Sequence, residues 1–151
     1  MRTSAPGSSH VRRQGFTLLE MLIVIAIVAI ASAGVSFAIR DSQSTQLERE
    51  AQRLASLLES ARAQSRSSGV AVRWYAVDGG FHFDGVPPRT MPESWLVETT
   101  HVRGTATLIL GPEPIIGKQS VTLGSSAAPD RSLRISTDGL RPFAVSADAA
   151  P

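Results

Sequence analysis

Four groups of residues have the types and spacings that chemistry uses. The first is a lone carboxylate. Glu20 follows Gly15-Phe16-Thr17-Leu18-Leu19 and precedes a run from Met21 to Ile39 with no charged residue. A carboxylate in hydrocarbon is costly unless it is neutralised or paired. As an edge residue it can reach the headgroups, about one turn from the end of a span. The other solution is a cation. The nearest candidate is a free amine at Phe16, created if the chain is cut after Gly15. A second group is Asp78, His82 and Asp84, which a hairpin could bring onto a metal; turn acids and an exposed histidine are the commoner reading. A third is His10, His82 and His101 among many serines, but no Gly-x-Ser-x-Gly elbow accompanies them. The fourth, Gly111-Pro112-Glu113-Pro114-Ile115-Ile116-Gly117-Lys118-Gln119, has the outline of a phosphate loop. Its spacing is one residue too long, Gln119 replaces the hydroxyl, and two prolines remove backbone donors. No catalytic residues, cofactor or metal are expected.

The element that must position Glu20 is the apolar run. Ser32, Gly34 and Ser36 are its soft interruptions. With Phe16 to Leu19 added it reaches the roughly 20 residues that a bilayer core of about 30 Å requires. A single segment in lipid is helical, because its backbone groups must be satisfied internally. No proline lies between Pro6 and Pro87. A cleaved secretory signal would share the basic start, with Ser32-Ala33-Gly34 as its cleavage site, but the run is too long and continues as a helical pattern.

Gly15-Phe16-Thr17-Leu18-Leu19-Glu20, behind Arg12-Arg13 and ahead of a long apolar run, resembles the class III signal of type IV pilins and type II secretion pseudopilins. The resemblance covers the first quarter of the chain. It implies that a membrane aspartyl peptidase cuts between Gly15 and Phe16 and methylates the new N-terminus at Phe16. Glu20 is then the fifth mature residue, which in that family pairs with the N-terminal amine of a neighbouring subunit.

The leader, residues 1–15, holds Arg2, Arg12 and Arg13 and no acid. Positive charge beside a span favours the cytoplasmic side, which puts the rest in the periplasm. The formal balance is +2, from fifteen Lys and Arg against thirteen Asp and Glu; removing the leader leaves twelve against thirteen, or −1. No basic stripe with interleaved aromatics is present, so nucleic-acid binding is not expected. There is no cysteine, hence no disulfide framework and no thiolate metal site.

Beyond Arg40 the helical period persists. Leu47, Ala51, Leu54, Leu57, Leu58 and Ala61 form one apolar face. Glu48, Arg49, Glu50, Arg53, Glu59 and Arg62 fill the other positions and read as a solvated face. Gly69 is the expected stop, and the helix is expected from about Phe16 to about Ser65. Strands follow. Val70–Val77 and Phe81–Phe83 flank the turn signal Asp78-Gly79-Gly80 and read as a hairpin. Pro87-Pro88 marks a loop. Trp95–Val97, Thr105–Leu110, Val121–Leu123 and Ser132–Ser136 are further strands, and Asp138-Gly139 turns the chain toward Phe143-Ala144-Val145. Trp74, Tyr75, Phe81 and Phe83 read as core and sheet-face packing.

The fold class expected is therefore α+β: a long N-terminal helix, membrane-spanning in its first half and amphipathic in its second, packed on two antiparallel β-sheets. The divisions are 1–15 leader, 16–39 membrane or filament-core half-helix, 40–68 amphipathic half-helix and 69–151 periplasmic β domain. Leu54 to Trp74 and Leu133 to Pro142 are similar to the H-type minor pseudopilin domain, which minor pilins of type IV pili share. No acidic cluster near the end matches the calcium loop of the major pseudopilin, and an acid at Glu20 argues against the K-type tip subunit. The resemblance implies a structural subunit and not an enzyme: a minor pseudopilin near the tip of a type II secretion pseudopilus, helping to initiate or cap it. Implied partners are major and minor pseudopilins, the prepilin peptidase and N-methyltransferase, and the inner-membrane secretion platform. The implied place is the inner membrane, single-pass, then the periplasmic pseudopilus. A minor pilin of a type IV pilus is the neighbouring alternative. A single-pass anchored periplasmic binding domain or enzyme is the alternative of another class.

Overall fold

Helix-favouring residues without proline fill the chain from Leu18 to Ser68, and the computed structural model has one helix there, α1 (Leu18–Ser68). It describes residues 17–147, the side chains of residues 35–41 excepted. The leader, Gly15, Phe16 and residues 148–151 lie outside the described residues. The chain divides into two units, Met1–Phe37 and Ala38–Pro151, and each is taken by itself below.

In the first unit every described side chain from Thr17 to Gly34 is exposed. Leu18 is 82% and Ile30 74% exposed. That follows from a stretch that is apolar all round and makes no single face for a core. Among the described residues no helix is long and apolar enough to cross a membrane. Leu18 to Gly34 rises only about 25 Å at 1.5 Å per residue, short of a core of about 30 Å. The expected span needs residues 35–39, whose side chains are outside the described set.

The second unit turns one helical face inward. Leu47, Ala51, Leu54, Leu58 and Ala61 are buried as the spacing predicts, and Ala55 joins them. The helix ends at Ser68, immediately before the expected stop at Gly69. Gly69, at φ +70, closes it with its N–H donating to the Ser65 carbonyl at 2.9 Å.

Seven strands follow: β1 (Arg73–Val77), β2 (Gly80–Asp84), β3 (Thr100–Val102), β4 (Thr107–Ile109), β5 (Gln119–Ser125), β6 (Ala128–Thr137) and β7 (Ala144–Ala147). They form two antiparallel sheets, ordered β2-β1-β4 and β3-β5-β6-β7. The α+β class with two antiparallel sheets is as expected. The β1–β2 hairpin turns at Asp78-Gly79, with Val77 facing Gly80. Both sheets contribute to one core with the helix: Trp74, Phe81, Phe83 and Leu108 from the first, Val121, Leu123 and Ile135 from the second. Phe81 packs tilted against Trp95 and edge-to-face against Phe83, with centroids at 4.6 and 5.8 Å.

Three strand expectations are corrected. Trp95–Val97 is no strand: Trp95 is a buried plug and the Leu96 N–H is taken by a helix carboxylate, so no ladder forms there. The strand in that region is β3, a few residues later. Val70–Ala71 precede the ladder, although the Leu110 N–H still reaches the Val72 carbonyl at 2.8 Å. Thr105–Leu110 shortens to β4, whose outer edge is occupied. The Gln119 amide accepts from the Ile109 N–H at 2.6 Å and donates to the Ile109 carbonyl at 2.8 Å. One side chain thus imitates a neighbouring strand and ends the sheet.

Candidate functional site

Helix α1 begins with a cap. The Thr17 hydroxyl oxygen accepts from the Glu20 N–H at 3.2 Å, and the Thr17 carbonyl accepts from Met21 N–H at 3.2 Å. Thr17 is therefore the N-cap and Glu20 the third helical residue, the sequence spacing of a capping box with the Thr17 bond formed. A carboxylate in the first turn is favoured by the partial positive charge of the helix start. Glu20 thus has a local reason for its position besides any cation supplied from outside. Its side chain is exposed. Nothing above assigned Thr17 a role, although Thr-x-x-Glu ahead of an apolar run is the sequence signature of this cap. Gly15 and Phe16 lie outside the described residues.

The helix residues read as solvated divide into two sets. Glu48 and Arg49 are exposed. Glu50 and Arg62 are 1% and 2% exposed, which corrects the expectation for both. Glu50 accepts from the Leu96 N–H at 2.8 Å and from Arg53 at 2.7 Å. Arg62 donates to the carbonyls of Gly139 at 2.7 Å, Pro114 at 3.3 Å and Arg141 at 3.4 Å. Glu59 accepts from the Phe143 N–H at 2.9 Å and lies 3.6 Å from Arg62. These charges hydrogen-bond to backbone groups of the loops packed against the helix. No periodicity in the sequence marks them, because their partners lie 46 to 84 residues away.

The hairpin acids and histidine are not gathered on one point. Asp78 is in the turn, while Asp84 faces Arg73 at the other end of β2. Arg73 donates to Asp84 at 2.7 Å; this bond holds the Asp84 carboxyl below its ordinary range and the guanidinium above its own. His82 lies between Glu93, at 2.7 Å, and Asp84, at 3.6 Å, with its ring against Tyr75. Glu93 was not a sequence candidate. The groove beside them, about 620 Å³, is lined by Val86, Pro87, Arg89 and Met91. Among the described residues no three His, Asp or Glu are grouped to hold a metal ion. His101 lies 3.4 Å from the Thr99 carbonyl, and His10 is outside the described residues. In the loop at Gly111 to Gln119, Pro114 is held by Arg62 and Gln119 by β4. Trp74, Phe81 and Phe83 are core, and Tyr75 is half-buried, as their types suggested.

Residues 11–36 match the family model described as "Prokaryotic N-terminal methylation motif". The chain carries a prokaryotic N-terminal methylation motif. The matched stretch includes Gly15, Phe16, the Thr17 cap and Glu20. A motif of this kind supports a place in the pilin-like superfamily, and it implies processing by a prepilin peptidase and assembly with pilin-like subunits. Comparison with curated proteins and with solved structures finds no match.

Proposed function

We propose that this chain is a structural subunit, a minor pseudopilin of the H type, placed near the tip of a type II secretion pseudopilus. The observation that carries the reading is the methylation motif at residues 11–36 with Glu20 in the first turn of an apolar helix. In this reading the precursor rests in the inner membrane with its β domain in the periplasm. The peptidase cuts between Gly15 and Phe16, and the Phe16 amine is methylated. The apolar half-helix then exchanges lipid for other helices, which associate through packing and polar pairing. Glu20, carried into that apolar bundle, is matched to the N-terminal amine of a neighbouring subunit, because an unpaired buried charge is not tolerated there. The α+β domain supports the reading as a fold that can be displayed along a fibre.

Mass spectrometry of the protein isolated from membranes tests it. The expected mature chain begins at methylated Phe16; a chain that still begins at Met1 overturns the proposal. Deletion of the gene then separates the two assemblies. Arrested release of folded exoproteins is the expected result. Loss of pilus-dependent motility with secretion intact assigns the chain to a type IV pilus instead.

A further inference from the structure

Gln119 closes one edge of the first sheet, but the other edge is covered only in part. Strand β1 divides its backbone between two neighbours. The Val72 carbonyl accepts from the Leu110 N–H, so Val72 and Trp74 turn their backbone groups toward β4, and Arg73, Tyr75 and Val77 turn theirs toward β2. Their opposite numbers on β2 are Asp84, His82 and Gly80. Phe81 and Phe83 therefore direct their N–H and carbonyl groups outward. The Phe81 N–H donates to the Glu93 carbonyl at 2.9 Å, and Ser94 bridges to Gly80. There the cover ends. A ladder continued from Ser94 would bring Met91 opposite Phe83, but residues 85–92 leave it. Between them and β2 lies the groove of about 620 Å³, which Phe83 lines. Among the described residues nothing meets the outward N–H of Phe83.

The groove also carries one open charge. Its two acids are matched already, Asp84 to Arg73 and Glu93 to His82. Arg89, on the opposite wall, has no such partner among the described residues. It stands at φ +62, in a turn that the Thr90 N–H closes on the Pro87 carbonyl at 3.3 Å. Glycine or asparagine is ordinary at that place in the turn, and among the described residues Arg89 is the one non-glycine residue with positive φ. We propose that the groove binds an extended acidic peptide segment of a partner protein, its backbone added to β2 at Phe83 and a carboxylate on Arg89. Each part of the groove selects a part of that ligand. An open strand edge pairs with peptide backbone. Val86 and Met91, half-buried in the loop wall, take an apolar side chain. The guanidinium fork takes a carboxylate. The volume lies within the roughly 300–1,000 Å³ of sites for small ligands, enough for a few residues and not for a folded domain. The inference goes beyond the proposed function and does not depend on a cut after Gly15.

The full chain, extracted from membranes in detergent, is titrated into a fluorescent hexapeptide of valine and threonine with one central glutamate. Saturable binding, read by anisotropy, is expected. Exchanging the glutamate for glutamine weakens it about tenfold, the worth of one charge-assisted hydrogen bond. Arg89→Gly weakens it by the same factor. Methylating the backbone nitrogens of the peptide removes the donors that strand pairing needs and abolishes binding. The thermal midpoint of Arg89→Gly is equal to the parent's or higher, because glycine takes a positive φ without strain; a residue kept for the fold alone would show the reverse. Absence of saturable binding overturns the site. So does binding that is indifferent to the glutamate, to Arg89→Gly or to backbone methylation. A chain still beginning at Met1 overturns the proposed function and leaves the groove's binding as it is.

Discussion

The described parts of α1 are two helices in physical character. From Leu18 to Gly34 every side chain is exposed and nearly all are apolar. From Leu47 to Ser65 one apolar face is buried, and so are a glutamate and an arginine. The first stretch is written for surroundings the isolated chain lacks. The second finds its surroundings in its own β-strands. The difference shows that an acid has opposite uses along one helix. Glu20 stands exposed in the first turn beside the Thr17 cap, whereas Glu50 is consumed inside the fold by the Leu96 N–H.

The sharpest way to break this contrast is Glu20→Leu. The substitution is expected to leave the thermal midpoint of the β domain unchanged and to reduce incorporation into filaments about tenfold or more while membrane insertion survives. Normal incorporation, read by shearing and immunoblot, removes the pairing role. Leu58→Ala does the reverse. It opens a cavity at a position with no exposure and is expected to lower stability by about 2–5 kcal/mol in urea unfolding. Arg62→Met removes the guanidinium bonds to three loop carbonyls, of which Arg141 keeps the Thr137 hydroxyl and Gly139 the Ile116 N–H, and is expected to cost about 2–3 kcal/mol. Hydrogen exchange should rise first around Gly139. Glu50→Ala strands the Leu96 N–H and is expected to cost about 2 kcal/mol, whereas Glu50→Gln keeps an acceptor there and costs less.

The smallest effect is on pH. The backbone N–H groups of Arg141 and Leu140, with the Arg141 guanidinium, hold Asp138 down to about 2. A carboxyl depressed in the folded state stabilises it above the ordinary carboxylate range of about 4, and that stabilisation is lost as pH falls through about 2. Acid unfolding of Asp138→Asn should therefore be flatter than that of the parent between those values. An equal slope would mean that the Asp138 turn is not formed.

Much of the second unit was legible because hydropathy reports burial. The face at Leu47, Ala51, Leu54, Leu58 and Ala61 repeats at helical spacing, and Asp78-Gly79 allows only a tight turn. β3 was not legible. Thr100-His101-Val102 is short, and its pairing with β5 decides it, while the stronger-looking Trp95–Val97 is claimed by the helix. Local propensity gave way to contacts made elsewhere.

By itself the sequence determined the methylation motif, the apolar stretch behind it and the place of Glu20, since these depend on residue order and hydropathy within a few turns. Only the tertiary structure decided that Glu50 and Arg62 turn inward, that Gln119 closes a sheet edge, and that the Ile116 and Gly139 backbones meet. Each of those depends on a backbone group brought from a distant part of the chain, and hydrogen bonding to such a group leaves no trace in local spacing.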